Sequence, residues 1–208
     1  MKVTKYPQSC LIIENDGKRA LIDPGAFVTA KYSVSDLLPL DLVLITHEHE
    51  DHIDPALLNQ ILADTKIPVV ANASTAKLLG DKVTNIIEDK QSVEIAGFKI
   101  TARELPHCLM VNGSEGPQNT GYVINDYFFH PGDGIKIADF QIDKTAVPIA
   151  GPDISPKDVF DFIKDVGANT VIPIHYDFFK ENPEMLKNEY FFPGVNAVIL
   201  ENGETAEI

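Results

Sequence analysis

The 208-residue sequence has no tryptophan and only two cysteines, Cys10 and Cys108. Two thiols cannot build a disulfide framework, and neither belongs to a CxxC pair, so a disulfide-stapled scaffold and a thioredoxin-type redox motif are both excluded. Basic residues are scarce: 17 Lys and Arg face 31 Asp and Glu, a formal charge of −14, and the densest basic cluster is Lys18-Arg19. A surface of that sign repels phosphate backbones and anionic lipid headgroups, which argues against a nucleic-acid binder or a membrane anchor. Long apolar runs are missing as well, since none approaches the ~20 residues that span a bilayer. The N-terminal stretch Met1-Lys2-Val3-Thr4-Lys5-Tyr6-Pro7 lacks the apolar core of an export signal, so a cytoplasmic location is expected. What remains is ordinary for a folded chain, with 44% hydrophobic and 23% charged residues. The length predicts one domain, residues 1–208, with a single large core.

Asp16-Gly17 between apolar runs at residues 9–13 and 19–22 predicts an N-terminal hairpin. Residues 41–46 read as a buried strand running straight into His47. Asp54-Pro55 supplies a cap and an N1 proline for a helix of two to three turns, with Leu57, Leu58, Ile61 and Leu62 at helical spacing. A strand at 67–70, a helix at 74–79 and then strands at 83–87, 92–95, 98–102, 122–124 and 127–129 follow. Ser155-Pro156-Lys157-Asp158 caps a helix that Gly167 ends, and 170–174 and 197–200 are read as the closing strands. The alternation of strands and helices predicts an α/β fold.

Chemistry concentrates in Thr46-His47-Glu48-His49-Glu50-Asp51-His52, which places three of the six histidines and an aspartate directly after a buried strand. From this chain's own residue frequencies, His-x-His-x-Asp-His arises by chance in roughly one of a few thousand such sequences. Imidazole and carboxylate together suit zinc, manganese or iron, and a loop can aim His47 and His49 at one ion and Asp51 and His52 at a second. Four side chains cannot complete two coordination spheres, so the other polar strand ends matter. His107 and His175 each follow a predicted strand, and Asp133, in His130-Pro131-Gly132-Asp133-Gly134, sits where a carboxylate can bridge two ions.

With His107 coming 55 residues after His52, Asp133 26 later and His175 a further 42, the pattern resembles the metallo-β-lactamase superfamily. The resemblance implies a four-layered αβ/βα sandwich holding two divalent metal ions, zinc first and manganese or iron as alternatives. By position it assigns His47, His49 and His107 to one metal, Asp51, His52 and His175 to the other, and Asp133 to both. Leu21-Ile22-Asp23-Pro24-Gly25, Thr120-Gly121-Tyr122-Val123-Ile124 and Pro173-Ile174-His175-Tyr176 look like the compact ascorbate-6-phosphate-lactonase-like branch, from which Gly134 departs, because Ser or Thr is usual there. Only 33 residues follow His175, so a helical C-terminal domain of the glyoxalase II kind is not expected.

The implied function is a dinuclear metal-dependent hydrolase that uses a metal-bridging hydroxide to cleave a small ester, lactone or phosphodiester, with Asp51 as the catalytic carboxylate. The alternatives are an iron-dependent redox member of the same fold and a non-enzymatic metal-binding scaffold. The expected partner is a small-molecule substrate, with no nucleic acid and no membrane; a homo-oligomer stays open. Among other residues, Asp23 is expected beside the metal loop, Cys108 in the core, and Glu48 and Glu50 facing solvent. His130 is weighed between orienting a ligand and a structural role, and Tyr176 between substrate contact and packing, while residues 110–118 are the candidate lid.

Overall fold

The computed structural model describes residues 1–63, 65–136 and 139–208. The chain opens with β1 (Lys2–Lys5), β2 (Leu11–Asn15) and β3 (Lys18–Ile22), an antiparallel meander. Asn15 pairs with Lys18, so Asp16-Gly17 is the whole turn, and both residues have positive φ, 49° and 73°. A two-residue hairpin of this kind demands that geometry, and Asp-Gly supplies it at low cost. Two one-turn helices, α1 (Ala26–Thr29) and α2 (Val34–Leu37), lead to β4 (Leu42–Leu44). Then come α3 (Pro55–Ala63), β5 (Val69–Ala71), α4 (Ala73–Leu79) and β6 (Asn85–Ile86), with β4, β5 and β6 extending the sheet in parallel from β3. The helix starts follow the expected chemistry: Asp54 Oδ1 accepts the Ala56 N–H at 2.8 Å, and Asn72 Oδ1 accepts that of Thr75 at 2.8 Å.

The second sheet repeats the plan. β7 (Ser92–Ile95), β8 (Phe98–Glu104), β9 (Thr120–Ile124) and β10 (Phe128–His130) are antiparallel neighbours. β11 (Lys144–Pro148), β12 (Thr170–Ile174) and β13 (Asn196–Ala197) then add in parallel. Between β11 and β12 lies α5 (Pro156–Val166), opened by a reciprocal Ser155–Asp158 capping box and closed by Gly167 in the left-handed region at φ 68°. The last strand, β14 (Thr205–Glu207), returns to the first sheet beside β1.

This corrects the expectation for 197–200. Only Asn196–Ala197 forms a strand beside β12, the Val198 N–H closing the ladder on the Val171 carbonyl at 2.9 Å; beyond it the chain leaves the sheet, and the Val198 and Leu200 side chains pack in the core between the sheets. β14 was invisible because its three residues include a single apolar one, Ala206.

Three apolar clusters separate four layers. One lies between the sheets, with Ile13, Ile22 and Leu44 facing Phe98, Tyr122 and Ile172. A second packs the outer face of the first sheet on α1 to α4, through Val43, Leu57, Leu58 and Ile61 among others. The third packs α5 on the second sheet through Val159, Phe162, Ile163 and Val166. The fold is therefore the αβ/βα sandwich that the resemblance implied. Among the described residues, no helix is long and apolar enough to cross a membrane.

Candidate metal centre

Parallel strands leave their carboxyl ends along one edge, and loops leaving that edge collect side chains over it. Asp23 follows β3, and His47 to His52 follow β4. From the second sheet, His107 follows β8, Asp133 follows β10 and His175 follows β12. All seven residues singled out in the sequence meet at this seam. The donor atoms of His47, His49, His107 and Asp133 lie within 4.8 Å of one another, and so do those of Asp51, His52 and His175. Asp133 touches both groups: its Oδ2 is 3.4 Å from His107 Nε2 and 3.2 Å from His175 Nε2, and its Oδ1 is 3.0 Å from His52 Nε2. Asp51 Oδ2 is 3.2 Å from His175 Nε2.

The ring nitrogen facing away from the cluster is partnered on four of these histidines. Asp23 Oδ2 lies 2.8 Å from His52 Nδ1, and Thr46 Oγ1 lies 3.1 Å from His47 Nδ1. His107 Nδ1 donates to the Cys108 carbonyl at 2.6 Å and His175 Nδ1 to the Ala150 carbonyl at 2.8 Å. Each outer acceptor fixes a proton on Nδ1 and so leaves the Nε2 lone pair aimed at the cluster, as a metal ligand requires.

Three inward atoms, His52 Nε2, His107 Nε2 and Asp133 Oδ1, are buried without a hydrogen bond of acceptable geometry. Orphaned buried atoms are costly, and borderline N and O donors converging at this spacing fit divalent transition-metal ions. Electrostatics agree. Asp133 is held well below the usual carboxylate range: burial opposes its charge, but His175, His52 and His107 outweigh it. Burial also works to lower His107, yet the Asp133 carboxylate 3.4 Å away and the Cys108 carbonyl on its other nitrogen raise it to about 10. Such a proton is one that a metal ion displaces.

The family model described as "Beta-lactamase superfamily domain" matches residues 2–175. The chain belongs to this superfamily. It is 30% identical over 184 residues to Protein Rv0786c of Mycobacterium tuberculosis, covering 84% of each chain. It is 29% identical to the UPF0173 metal-dependent hydrolase Ta0764 of Thermoplasma acidophilum, across 100% of this chain and 99% of the other. Among solved structures, Igni18, a metallo hydrolase from Ignicoccus hospitalis, superposes with a TM-score of 0.76 at 22% identity, over 99% of this chain and 97% of that one, and so shares the fold.

Around the superfamily motif, the structure also places residues that sequence reasoning weighed differently. Asp23 lies beside the metal loop as expected; its Oδ1 accepts the Thr46 N–H and its Oδ2 the Thr46 hydroxyl, both at 2.8 Å. The hydrogen bonds of His130 reach no member of the cluster. Buried, it donates from Nε2 to the Ser9 carbonyl at 2.8 Å and accepts the Gly132 N–H at 3.2 Å, shaping the turn that carries Asp133. Tyr176 points its hydroxyl at the Leu200 carbonyl, 3.4 Å away, with Lys5 Nζ over its ring, so packing is its role. Cys108 is buried, whereas Glu48 is a correction: it is half-buried and accepts the Ser74 hydroxyl at 2.8 Å.

In the 110–118 loop, Gly116 is pressed against an imidazole, since a Cβ there would lie 2.4 Å from His107 Nδ1. This glycine serves close approach rather than motion. Gly134 has the same explanation, because a Cβ would meet Leu105 Cβ at 2.4 Å and the space for a Ser or Thr side chain is filled.

Sequence reasoning missed Gln8. Buried, with φ 60°, it uses every polar group it has: Nε2 donates to Asp51 Oδ2 at 3.1 Å, Oε1 accepts the Phe178 N–H at 3.0 Å, its carbonyl accepts the His175 N–H at 3.1 Å, and its own N–H donates to Asp177 Oδ2 at 2.8 Å. It joins the first interstrand loop to the loops of Asp51 and His175. A lone glutamine in Pro7-Gln8-Ser9 carries no motif, so only the fold reveals it.

Proposed function

We propose that this metal-dependent hydrolase of the superfamily is dinuclear, holding one cation with His47, His49 and His107, a second with Asp51, His52 and His175, and both with Asp133. The observation that carries the reading is the Asp133 carboxylate, buried and within 3.4 Å of imidazole nitrogens from both groups. Zinc suits the donor set best, with manganese or iron as alternatives. Bound there, two such ions supply Lewis acidity for a scissile carbonyl or phosphoryl oxygen and bring the pKa of a water near neutrality.

The remaining work falls to the protein. Asp51, with a side chain 27% exposed, is the member of the carboxylate pair that solvent and substrate reach, and Gln8 fixes its orientation. Held ionised by His175 and His52 against its burial, it is placed to orient the attacking water by accepting its hydrogen bond and to relay the proton toward the leaving oxygen. His52 and His175 keep their own protons on Nδ1, away from the reaction, because Asp23 and the Ala150 carbonyl take them. The substrate class is a small ester, lactone or phosphodiester, and the acting location is the cytoplasm.

Elemental analysis of the purified protein, coupled to hydrolysis of phosphodiesters, lactones and esters, tests the reading. Two equivalents of transition metal per chain and chelator-sensitive turnover are expected, and His47→Ala, His49→Ala or Asp51→Ala should abolish turnover while leaving the fold largely intact. A chain that binds no transition metal, or an H47A enzyme with full activity, overturns it.

A further inference from the structure

Beside the second ligand group the surface turns aromatic. The Phe179 ring lies 6.1 Å from the His175 imidazole, Phe178 meets Phe179 edge-on at 5.1 Å, and Phe27 meets Phe178 edge-on at 5.9 Å. Phe178 is 61% exposed and Phe179 39%, an apolar surface at the mouth of a polar site. Contiguous apolar surface in such a place marks contact with something apolar.

The wall is anchored. The Phe178 N–H is held by Gln8 Oε1 at 3.0 Å, from the same carboxamide that binds Asp51. On the other side, the Ala26 N–H next to Phe27 donates to the Glu50 carbonyl at 2.8 Å, inside the metal loop. Gln8 is itself bonded to Asp51 and to the His175 N–H, and Glu50 lies in the loop of Asp51, so the aromatic rings hold a fixed position relative to the cluster.

Next to Phe179 opens a cavity of about 110 Å³, lined mainly by Ile149, Ala150, Ile154, Met185 and Phe179 itself. It shares a wall with the centre, because the Ala150 carbonyl takes the His175 Nδ1 proton at 2.8 Å. Among the described residues, Glu181 is the one charged residue in its lining, and no Lys or Arg contributes. A second anionic group on a substrate would find no cation there and would meet an acidic chain of net charge −14. An uncharged chain gains by leaving water against Phe179 and the aliphatic lining.

We propose that the Phe27-Phe178-Phe179 wall and the cavity beside it form the subsite for an uncharged aliphatic acyl group, which makes an acyl ester or alkyl-substituted lactone the substrate class. The inference rests on the hydrolase reading above and narrows it away from phosphodiesters. At about 30 Å³ per water-sized element, the cavity takes roughly four, which suits a short to medium acyl chain laid over Phe179.

The test uses the full-length, metal-loaded protein with p-nitrophenyl acetate, butyrate and hexanoate and with bis(p-nitrophenyl) phosphate. The expected result is a kcat/KM that rises roughly fourfold per added methylene, ~0.8 kcal/mol each, with the hexanoate-to-acetate ratio collapsing in Phe179→Ala. A second readout needs no turnover: in a chain without tryptophan, Phe179→Trp places one indole on the wall, and saturable blue-shifted emission is expected with 1-hexanol but not with inorganic phosphate. A flat chain-length profile, faster cleavage of the phosphodiester than of the hexanoate, or an indole indifferent to hexanol overturns the subsite. So does a wild-type dimer that Phe178→Ala dissociates, since a second copy would then cover the wall. If no ester or phosphodiester is cleaved at all, the hydrolase reading fails, and the indole response still decides whether the wall binds an apolar chain.

Discussion

Replacing Asp23 with asparagine changes one atom and tests how the second ligand group is set. Asp23 is fully buried and accepts three hydrogen bonds, from the Thr46 N–H, the Thr46 hydroxyl and His52 Nδ1, each at 2.8 Å. An amide offers one acceptor oxygen. With that oxygen on the Thr46 N–H, the NH2 group faces His52 Nδ1 and the Thr46 hydroxyl loses its acceptor, while its oxygen still accepts the His47 Nδ1 proton 3.1 Å away. His52 must then accept at Nδ1 and carry its proton on Nε2, the atom directed at Asp133. That proton occupies the lone pair a metal needs.

Loss of such an outer partner costs metal affinity about 10–100-fold, equivalent to roughly 1.4–2.8 kcal/mol. For D23N the loss should fall on the cation held by Asp51, His52 and His175, with the His47, His49 and His107 site changed by less than about threefold, since its ligands make no direct bond to Asp23. Stability of the metal-free protein should fall by only about 1–3 kcal/mol for the hydrogen bonds weakened. Chelator-competition titration with elemental analysis resolves the two affinities, and urea unfolding of the metal-free protein gives the third number. Two equivalents bound by D23N with wild-type affinities would refute the tautomer argument.

Other consequences are open to direct measurement. Gln8→Leu removes the donor to Asp51 Oδ2 and the acceptor for the Phe178 N–H; turnover should drop at least about tenfold with the second metal bound more weakly, and unchanged kcat and metal content would show that Asp51 needs no such support. Gly134→Ser places a Cβ 2.4 Å from Leu105 Cβ, so thermal denaturation should report a loss of about 1–3 kcal/mol, and an unshifted midpoint would contradict the close packing. Burial, aided by the charge of Asp23, pushes the Cys10 thiol well above its ordinary value, so at pH 8 it remains a protonated, unreachable thiol. It should react with a disulfide reagent only after denaturant is added, and prompt labelling of Cys10 in the native protein would count against that account.

The parts of this molecule legible in its sequence are those where local chemistry decides. His47, His49, Asp51 and His52 lie in one short loop, so their joint purpose shows without any knowledge of the fold. Asp54-Pro55 and Ser155-Pro156-Lys157-Asp158 announce helix starts because a cap acts only on the next turn. Distance in sequence hides the rest. Gln8 acts on Asp51 and His175 from 43 positions away or more, with nothing in its neighbours to signal it. The Ala150 carbonyl is a backbone acceptor, which any residue could supply. β1 and β14 are short, and the pairing of both, as of the five-residue β11, is decided by which strands the sandwich brings alongside. Glu48 alternates with ligands along the loop, yet α4 happens to pass beneath it and offers Ser74.

The division of the proposed ligands between the two sheets would have a consequence for how long the protein survives. Four come from the segment after β4 and three, with Asp133 among them, from the opposite sheet. An ion held by both halves ties them together at the edge where no strand pairing does so. By mass action an ion so held would add about 2.7 kcal/mol against separation when free metal is a hundred times its dissociation constant, and almost nothing when metal is scarce. The cell's supply of the metal would thus set the rate at which this seam opens to proteases, and starvation for the ion would thin the population of the enzyme as well as idle it.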